Sequence, residues 1–527
     1  MRRLFFIAVI VSQFLILCFA IAAQDTVSIE TGKIKGSVQD GVLSFKGIPY
    51  AAAPVGDLRW RPPQPAAKWS GVRDATAYGH DCMQLPFPSD AAPLGTTPAE
   101  DCLVLNVWEP ERRTGKLPVM VWIYGGGFVN GGSSPAVYDG SQFAKRGLVF
   151  VSFNYRVGRF GFFAHPALTK ESKDGLLGNY GYMDQIAAMK WIQNNIAAFG
   201  GDPHEVTVFG ESAGGGSVHM LMTSSLAMGL FQRAMIESGG GRNLLSGTGL
   251  HEGRDGRPSA EEIGVEFAKK NGITGDDAEA LKKLRALPAE TVVDGLNMAS
   301  MGAAQSTYPG PMIDGKIVTD KVETLYKEGR YQHVSMVVGA NSMDIGFTRA
   351  RTVDELFAPF GTNADAAKTA YDAADSKNMM LLGMKVAADQ FMIEPARFVA
   401  QTLSSQGVPV WEFRFAYVAE SMRSQWPGAP HATEIPFVFD TVKAKYGTEL
   451  KPEDEAIAQK TNEYWANFAK DGDPNGPGLP KWPAYTTADV LLVIQSGGPI
   501  AEPDPWKTRL DLTQKLAESH ADANRTK

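Results

Sequence analysis

The order of apolar and polar residues predicts a parallel sheet. Leu117 to Tyr124 (LPVMVWIY) and Gly147 to Tyr155 (GLVFVSFNY) are nearly continuous apolar runs, which is typical of strands buried on both faces. Between Asp184 and Phe199 apolar residues recur near helical spacing, and Val206 to Phe209 begins another strand. This alternation predicts an α/β fold with a mostly parallel central sheet flanked by helices.

Two later regions are predicted to be helical elaborations of this sheet. Residues 251–300 are charged, and a helix there begins at a capping box between Ser259 and Glu262 and ends at Asn271-Gly272. Residues 352–405 are interpreted in the same way. We therefore expect residues 24–527 to form a single domain with these two elaborations.

Length and composition narrow the class of protein. At 527 residues the chain can bury a large core. Length alone suggests about two to four domains, although single α/β enzymes are often this long. The composition, 44% hydrophobic and 21% charged, is that of an ordinary soluble globular protein. The net charge is -7 and basic residues form no run beyond pairs such as Arg112-Arg113, so nucleic acid is not expected as a partner.

The first residues have the pattern of an export signal. Arg2-Arg3 precede the apolar run Leu4 to Phe19, and Ala20-Ile21-Ala22 supplies the small residues that a signal peptidase requires. We expect cleavage near Ala22 or Ala23 and a periplasmic or secreted location. The alternative is an uncleaved N-terminal anchor, because a run of this length could just span a bilayer. No later segment is apolar enough to do so.

The cysteine content agrees with export. Removal of the signal would leave Cys82 and Cys102, and an even pair in an oxidising compartment usually forms a disulfide. Two free buried thiols are the alternative, which the cytosol would favour. The chain has no CxxC and no HExxH motif, so a zinc site has no support in the sequence.

The stretch FGESAGGG, residues 209–216, places a serine in a tight turn. It follows the strand Val206 to Phe209 and leads into an apolar helical segment. Strand, Gly-Glu-Ser-Ala-Gly and helix fit the nucleophile elbow G-x-S-x-G, in which crowding requires glycines and holds the serine out at the carboxyl edge of the sheet. A plain Gly/Ser turn is the alternative. The placement favours Ser212 as a nucleophile.

A second glycine turn follows the predicted strand Leu117 to Ile123. Its segment Tyr124 to Phe128 contains three consecutive glycines, and the N–H groups of such a loop can point at a developing oxyanion. A phosphate-binding loop is not favoured, because no Gly-Lys-Ser/Thr follows and basic residues are missing. We interpret the segment as an oxyanion loop.

Chain order selects a candidate base. In enzymes with this elbow the order along the chain is serine, acid, histidine, which leaves His333, His431 and His520 as candidates. His520 lies in a polar tail and His333 precedes a strand. His431 lies in a loop after the strand Val410 to Phe415, where a base is expected.

The candidate acid lies between the serine and the histidine. Asp344 falls just past the end of the strand Ser335 to Gly339, on the edge that would carry the catalytic groups. Asp314 is the competitor, although Asp-Gly after an apolar pair usually forms a turn. The sequence therefore favours Asp344.

These segments resemble type-B carboxylesterases of the α/β-hydrolase fold, the group that includes bacterial para-nitrobenzyl esterases and animal cholinesterases. The resemblance covers nearly the whole chain after residue 23. Its motifs are FKGIPYA at 45–51, PVGDLRW at 54–60, EDCLVLNVW at 100–108, GNYG at 178–181, FGGDP at 199–203 and GESAG at 210–214. The resemblance implies a serine hydrolase that cleaves small carboxylic esters through an acyl-serine intermediate. This chemistry requires no metal or organic cofactor, and the N-terminal signal pattern adds export.

The resemblance also implies roles for individual residues. Ser212 would be the nucleophile, His431 the base and Asp344 the acid. Oxyanion donors would be the N–H groups of Gly126, Gly127 and Ala213, Cys82 would pair with Cys102, and Glu100 would form a structural ion pair with Arg156. With an ordinary histidine pKa, activity would rise with pH through about 6 to 7 as His431 loses its proton.

Departures from the family pattern limit what can be inferred about substrate. Asp344 stands where the family usually has glutamate followed by glycine, and Ala432 replaces the glycine that commonly follows the base. The segment 82–102 contains Phe87 but no tryptophan. The aromatic platform that binds choline in cholinesterases is therefore not expected, and neither is acetylcholine as substrate.

Two other classes of function stay open. One is a binding protein on this fold with an inactive site, and the other is another acyl-transfer enzyme such as an amidase or thioesterase.

Overall fold

A large central sheet organises the molecule. The computed structural model describes residues 21–22, 24–89, 91–242, 248–254, 256–374 and 378–525. Within these ranges the sheet has 11 strands. In chain order they are β1 Ser37–Gln39, β2 Val42–Pro49, β3 Val104–Pro110, β4 Leu117–Ile123, β5 Val149–Phe153, β6 Gly201–Glu211, β7 Arg233–Glu237, β8 Ser335–Asn341, β9 Val410–Phe415, β10 Val490–Gln495 and β11 Gly498–Pro503.

The strands lie in the spatial order β11-β10-β9-β8-β7-β6-β4-β5-β3-β2-β1. Neighbours from β10 to β5 pair in parallel, and the antiparallel pairs lie at the two margins. The predicted mostly parallel sheet is therefore confirmed. Every residue of β5 is buried, as are the last five of β4, which explains their continuous apolar sequences.

Helices pack against the sheet and extend beyond it. Those that contact its strands directly include the helices Ala213–Thr223, Glu394–Ser405 and Pro452–Asp471. The helices are α1 Ser141–Lys145, α2 Gly158–Gly161, α3 Pro166–Glu171, α4 Tyr180–Asn195, α5 Ala213–Thr223, α6 Ala260–Lys270, α7 Ala278–Arg285, α8 Ala289–Val293, α9 Val322–Lys327, α10 Val353–Phe357, α11 Ala364–Ala370, α12 Met379–Ala388, α13 Glu394–Ser405, α14 Ile435–Val438, α15 Val442–Tyr446, α16 Pro452–Asp471 and α17 Lys507–Arg525.

Short strands form smaller sheets beside the central one. Three of these sheets have two strands each: residues 21–22 pair with 112–113, 162–163 with 178–179, and 248–249 with 312–313. A fourth has three strands, in which residues 32–35 pair with 26–29 on one side and with 72–74 on the other.

The two regions predicted as elaborations are helical. The first contains α6 to α8, and α6 begins at the predicted capping box. The Ser259 amide donates to Glu262 Oε2 at 2.7 Å, and the Glu262 amide donates to Ser259 Oγ at 3.2 Å, which confirms that prediction. The second contains α10 to α13, where Phe357 and Leu382 share an apolar cluster with Leu512 and Leu516 of α17.

Two arginines form ion pairs that differ from the expected one. Glu100 pairs with Arg59 (Arg59 Nε to Glu100 Oε2, 2.8 Å) and Arg156 pairs with Asp184 (Arg156 Nε to Asp184 Oδ2, 2.7 Å). The expected pair between Glu100 and Arg156 is therefore wrong. Both arginines are buried. A buried guanidinium pairs with a carboxylate that is placed to accept two parallel hydrogen bonds from it.

A disulfide joins Cys82 to Cys102, which are both buried. The predicted export signal lies outside the described residues, apart from Ile21 and Ala22. Among the residues that the structure describes, no helix combines the length and the apolar character needed to cross a membrane.

Candidate active site

Ser212 lies in a strained turn between β6 and α5. Its φ is +57°, a backbone conformation that is costly for any residue with a side chain. The turn is crowded: a Cβ on Gly214 would lie 2.0 Å from the Ile123 carbonyl oxygen, and one on Gly210 would lie 2.6 Å from the Gly214 backbone. These positions therefore require glycine, as the elbow motif predicts.

The structure brings His431 and Asp344 to Ser212. His431 Nε2 lies 2.9 Å from Ser212 Oγ, and His431 Nδ1 lies 2.6 Å from Asp344 Oδ1. The three residues follow the carboxyl ends of β6, β8 and β9, and the carboxyl ends of parallel strands meet at one edge of a sheet. This arrangement can transfer a proton from a hydroxyl to an imidazole that a carboxylate orients.

Asp344 is held in place by its neighbours. Its side chain is fully buried; Oδ2 accepts from Ser238 Oγ at 2.6 Å and from the Asn341 amide at 2.8 Å. Burial alone would raise the pKa of Asp344, but His431 and these two hydrogen bonds hold the pKa below its usual value. The group is therefore an anion at neutral pH.

The competing candidates lie elsewhere. Asp314 Oδ1 accepts from the amides of Lys316 and Ile317 at 2.7 and 2.8 Å, so it stabilises a turn. His333 stacks on Tyr331 with ring centroids 4.5 Å apart. The side chain of His520 lies outside the described part of the chain.

Three further carboxylates belong to this region, and sequence reasoning did not assign them to the site. Glu211 and Glu434 lie near His431, and Glu237 lies near those two glutamates. Glu211 Oε1 is 3.2 Å from His431 Nε2. Glu434 Oε2 accepts a hydrogen bond from Asn341 Nδ2, and Glu237 Oε1 accepts from Trp465 Nε1 at 2.7 Å. All three are buried. Two have sequence signals: Glu211 lies inside the elbow motif, and Glu434 lies three residues after His431.

These carboxylates change the electrostatics of the base. Burial alone would lower the pKa of His431, but Glu211 and Asp344, with a further contribution from Glu434, raise it to about 10. Burial raises the pKa of Glu434 to about 7, although His431 opposes the shift. The site therefore stabilises an imidazolium strongly.

The glycine loop after β4 and the first residue of α5 lie next to the serine. A Cβ on Gly125 would lie 2.9 Å from Ser212 Cβ, so the glycine loop after β4 lies directly against the nucleophile. Gly126 and Gly127 have φ of +99° and +63°, which directs their backbones away from a regular strand. Ala213 is the first residue of α5, and the first amides of a helix lack intrahelical acceptors.

Comparison with known proteins identifies the family. The model of the carboxylesterase family matches residues 23–498. The chain belongs to the carboxylesterase family. As the family establishes, this carboxylesterase is a serine hydrolase of carboxylic esters, and its substrates are small molecules.

The carboxylesterase is similar to three characterised esterases along most of its length. It is 35% identical over 488 residues to the fumonisin B1 esterase of Sphingopyxis macrogoltabida, covering 89% of this chain and 86% of the relative. It is 33% identical over 494 residues to the para-nitrobenzyl esterase of Bacillus subtilis (strain 168), covering 89% and 94%. It is 32% identical over 518 residues to the cocaine esterase of Homo sapiens, covering 88% and 86%.

A cavity of about 150 Å³ opens beside the serine of the carboxylesterase. Ser212, Glu211 and His431 form its floor. Its walls are mainly apolar and include Phe87, Ala91, Ala92, Tyr138, Met298 and Ile435. In the described ranges, the active site included, no group of three or more His, Cys, Asp or Glu side chains could hold a metal ion.

Proposed function

We propose that the chain is an exported carboxylesterase that works through an acyl-serine intermediate on Ser212, with His431 as base and Asp344 as acid. The observation that carries this proposal is the pair of contacts at His431: Nε2 to Ser212 Oγ at 2.9 Å and Nδ1 to Asp344 Oδ1 at 2.6 Å. Both distances fit hydrogen bonds that a proton transfer needs.

In the proposed acylation step, Ser212 Oγ attacks the ester carbonyl while neutral His431 takes its proton at Nε2. Asp344 accepts a hydrogen bond from Nδ1, which fixes the tautomer and stabilises the imidazolium. The imidazolium then gives its proton to the departing alcohol. In deacylation the same histidine activates water, which releases the acid and restores Ser212.

The oxyanion of each tetrahedral intermediate would be bound by the amides of Gly126, Gly127 and Ala213. The position of the glycine loop against Ser212 and the start of α5 at Ala213 support this assignment. Each such donor is worth roughly 3 to 4 kcal/mol in the transition state. Apart from the ester and the water of deacylation, the proposed steps use only side chains and amides of this chain.

We further propose export and a single domain. The signal-like pattern of residues 1–23 and the disulfide between Cys82 and Cys102 support a periplasmic or secreted location. A hydrophobic core that continues from Val27 to Ile494 supports one domain from 24 to 527, with elaborations at about 251–300 and 352–405.

Replacement of Ser212 tests the proposed function. We expect Ser212→Ala to fold normally, to lose several orders of magnitude in kcat for p-nitrophenyl butyrate, and to lose labelling by a fluorophosphonate probe. Ser224→Ala, at another buried serine, is the control and should be labelled like the natural protein. Normal turnover by Ser212→Ala would refute the assignment.

A further inference from the structure

A buried arginine joins both ends of a loop beside the active site. Arg159 lies in α2 and is 1% exposed. Its Nη1 donates to the carbonyl oxygen of Val293 at 2.8 Å. Its Nε and Nη2 donate to the carbonyl oxygen and Oγ1 of Thr307 at 2.9 and 2.7 Å. One guanidinium thus holds the two ends of the segment 294–306, which we call the wall loop.

This contact is selective for arginine. The guanidinium is planar and offers several donors in a fixed fork, so it can serve acceptors from two chain segments at once. Asp294 Oδ2 lies 3.5 Å from Nη2, and the Phe267 ring lies 5.0 Å from Cζ. Removing the fork would leave the partly buried carbonyl oxygens of Val293 and Thr307 without this donor, which is unfavourable.

The wall loop presents two methionines to the glycine loop. A Cβ on Gly127 would lie 3.4 Å from Met301 Sδ and 3.8 Å from Met298 Cγ. Met298 also lines the cavity beside Ser212. The Met298 amide donates to Asn130 Oδ1 at 2.9 Å. This hydrogen bond holds the backbone of Met298 next to the segment that follows the glycine loop.

The middle of the wall loop has apolar anchors of its own. Leu296 is buried in the main core, and Met298, Met301 and Ala304 pack against that core. Several other residues of the loop are exposed; these are Gly295, Ala299, Gly302, Ala303, Gln305 and Ser306. The position of Met298 therefore depends on this apolar packing and on how Arg159 holds the two ends of the loop.

We propose that Arg159 is a positioning residue for substrate and that the wall loop it holds sets, through Met298, the size of the ester group that the cavity accepts. This inference rests on the proposed function of Ser212. The cavity of about 150 Å³ is small beside the roughly 300–1,000 Å³ of sites for drug-sized ligands. Among the described residues no lysine or arginine lines it. The group it takes is compact, uncharged and apolar.

Met298→Ala tests the wall directly. We expect the ratio of kcat/KM for p-nitrophenyl octanoate to that for the acetate to rise about tenfold, since a few methylenes in an apolar pocket are worth this much. The control is Met380→Ala, whose methionine is 72% exposed on α12, and its ratio should equal that of the natural protein. An unchanged ratio in Met298→Ala would overturn the role of the wall.

Arg159→Lys tests the positioning role. The variant keeps the charge and loses the fork, and we expect KM for p-nitrophenyl butyrate to rise about three- to tenfold, with kcat nearly constant and weaker discrimination by chain length. Arg397→Lys is the matched control: Arg397 is a buried arginine that bridges Asp489 and Asp511, and none of these lines the cavity. The melting temperature of Arg397→Lys should fall, but the dependence of its kcat/KM on the acyl chain length of the ester should not change.

The outcomes separate the two proposals. Suppose that Arg159→Lys folds and keeps both the KM of the natural protein and its dependence of kcat/KM on acyl chain length. The proposed positioning role of Arg159 is then wrong, even when Ser212→Ala is inactive. If Arg159→Lys does not fold, Thr307→Val provides the milder test, because it removes one acceptor of the guanidinium. An unaltered KM in that variant would then refute the proposal.

Discussion

Glu211 Oε1 lies 3.2 Å from His431 Nε2, the nitrogen that also faces Ser212 Oγ. A carboxylate at this distance favours the imidazolium over the neutral imidazole. Together with Asp344 and Glu434 it outweighs burial and raises the pKa of His431 to about 10. The proposed base therefore has more affinity for a proton than an ordinary histidine.

The pH dependence of activity tests this electrostatic effect. Neutral His431 is the active form, and its population increases as the pH rises through the raised pKa of His431. We therefore expect kcat/KM to keep rising above pH 7. An ordinary histidine pKa would instead make kcat/KM level off after about pH 6 to 7. Glu211→Gln removes a charge that raises the pKa, so the midpoint should move to lower pH. Glu328→Gln, an exposed residue, should leave it unchanged. Equal midpoints in all three proteins would contradict the role of Glu211.

Asp344 can be distinguished from Asp314 by matched substitutions. Asp344→Asn would leave Nδ1 of His431 without a carboxylate acceptor and favour the wrong tautomer, so we expect kcat to fall about 10⁴-fold. Asp314→Asn changes a turn and should cost about 1 kcal/mol of stability with nearly normal kcat. Steady-state kinetics with p-nitrophenyl butyrate and thermal unfolding measure both effects. Loss of activity in Asp314→Asn alone would reverse the assignment.

The disulfide should stabilise both the fold and the cavity. The two cysteines are 20 positions apart in the sequence, and the segment that they close carries Phe87 and Ala92 of the cavity wall. Replacing both cysteines by alanine should lower the free energy of unfolding by about 3 kcal/mol and raise KM, because binding must then order the segment. Reductant should have the same effect on the natural protein and none on the variant. A KM that does not respond to either change would show that the segment is ordered without the bond.

Sequence reasoning reached the site mainly through residues at strand ends. Ser212, Asp344 and His431 each follow an apolar strand, and the order of the strands brings them to one edge of a parallel sheet. These positions are fixed by local patterns and one topological rule. The central sheet, its long buried strands and the capping box at Ser259 could be predicted for the same reason.

Contacts between distant loops could not be predicted in this way. Glu100 pairs with Arg59 and Arg156 with Asp184, because the partner of a buried charge is decided by packing and not by spacing along the chain. Arg159 meets Val293 and Thr307 from a position more than a hundred residues away. Side chains that hold loops carry no periodic signal, so sequence reasoning did not identify them.

Ala432 gives a last test, at the position directly after the base. Its φ is +64°, in the left-handed region that costs a residue with a Cβ about 1–2 kcal/mol. Glycine would remove that strain at an entropic cost of about 0.5–1 kcal/mol, so Ala432→Gly should raise the free energy of unfolding by about 0.5–1 kcal/mol without loss of activity. Ala429→Gly removes a fully buried methyl group at an ordinary φ and should destabilise the protein. The free energies of unfolding of the two variants can be measured by urea unfolding. If Ala432→Gly is less stable than the natural protein, or if Ala429→Gly is more stable, then backbone strain at residue 432 does not determine its stability.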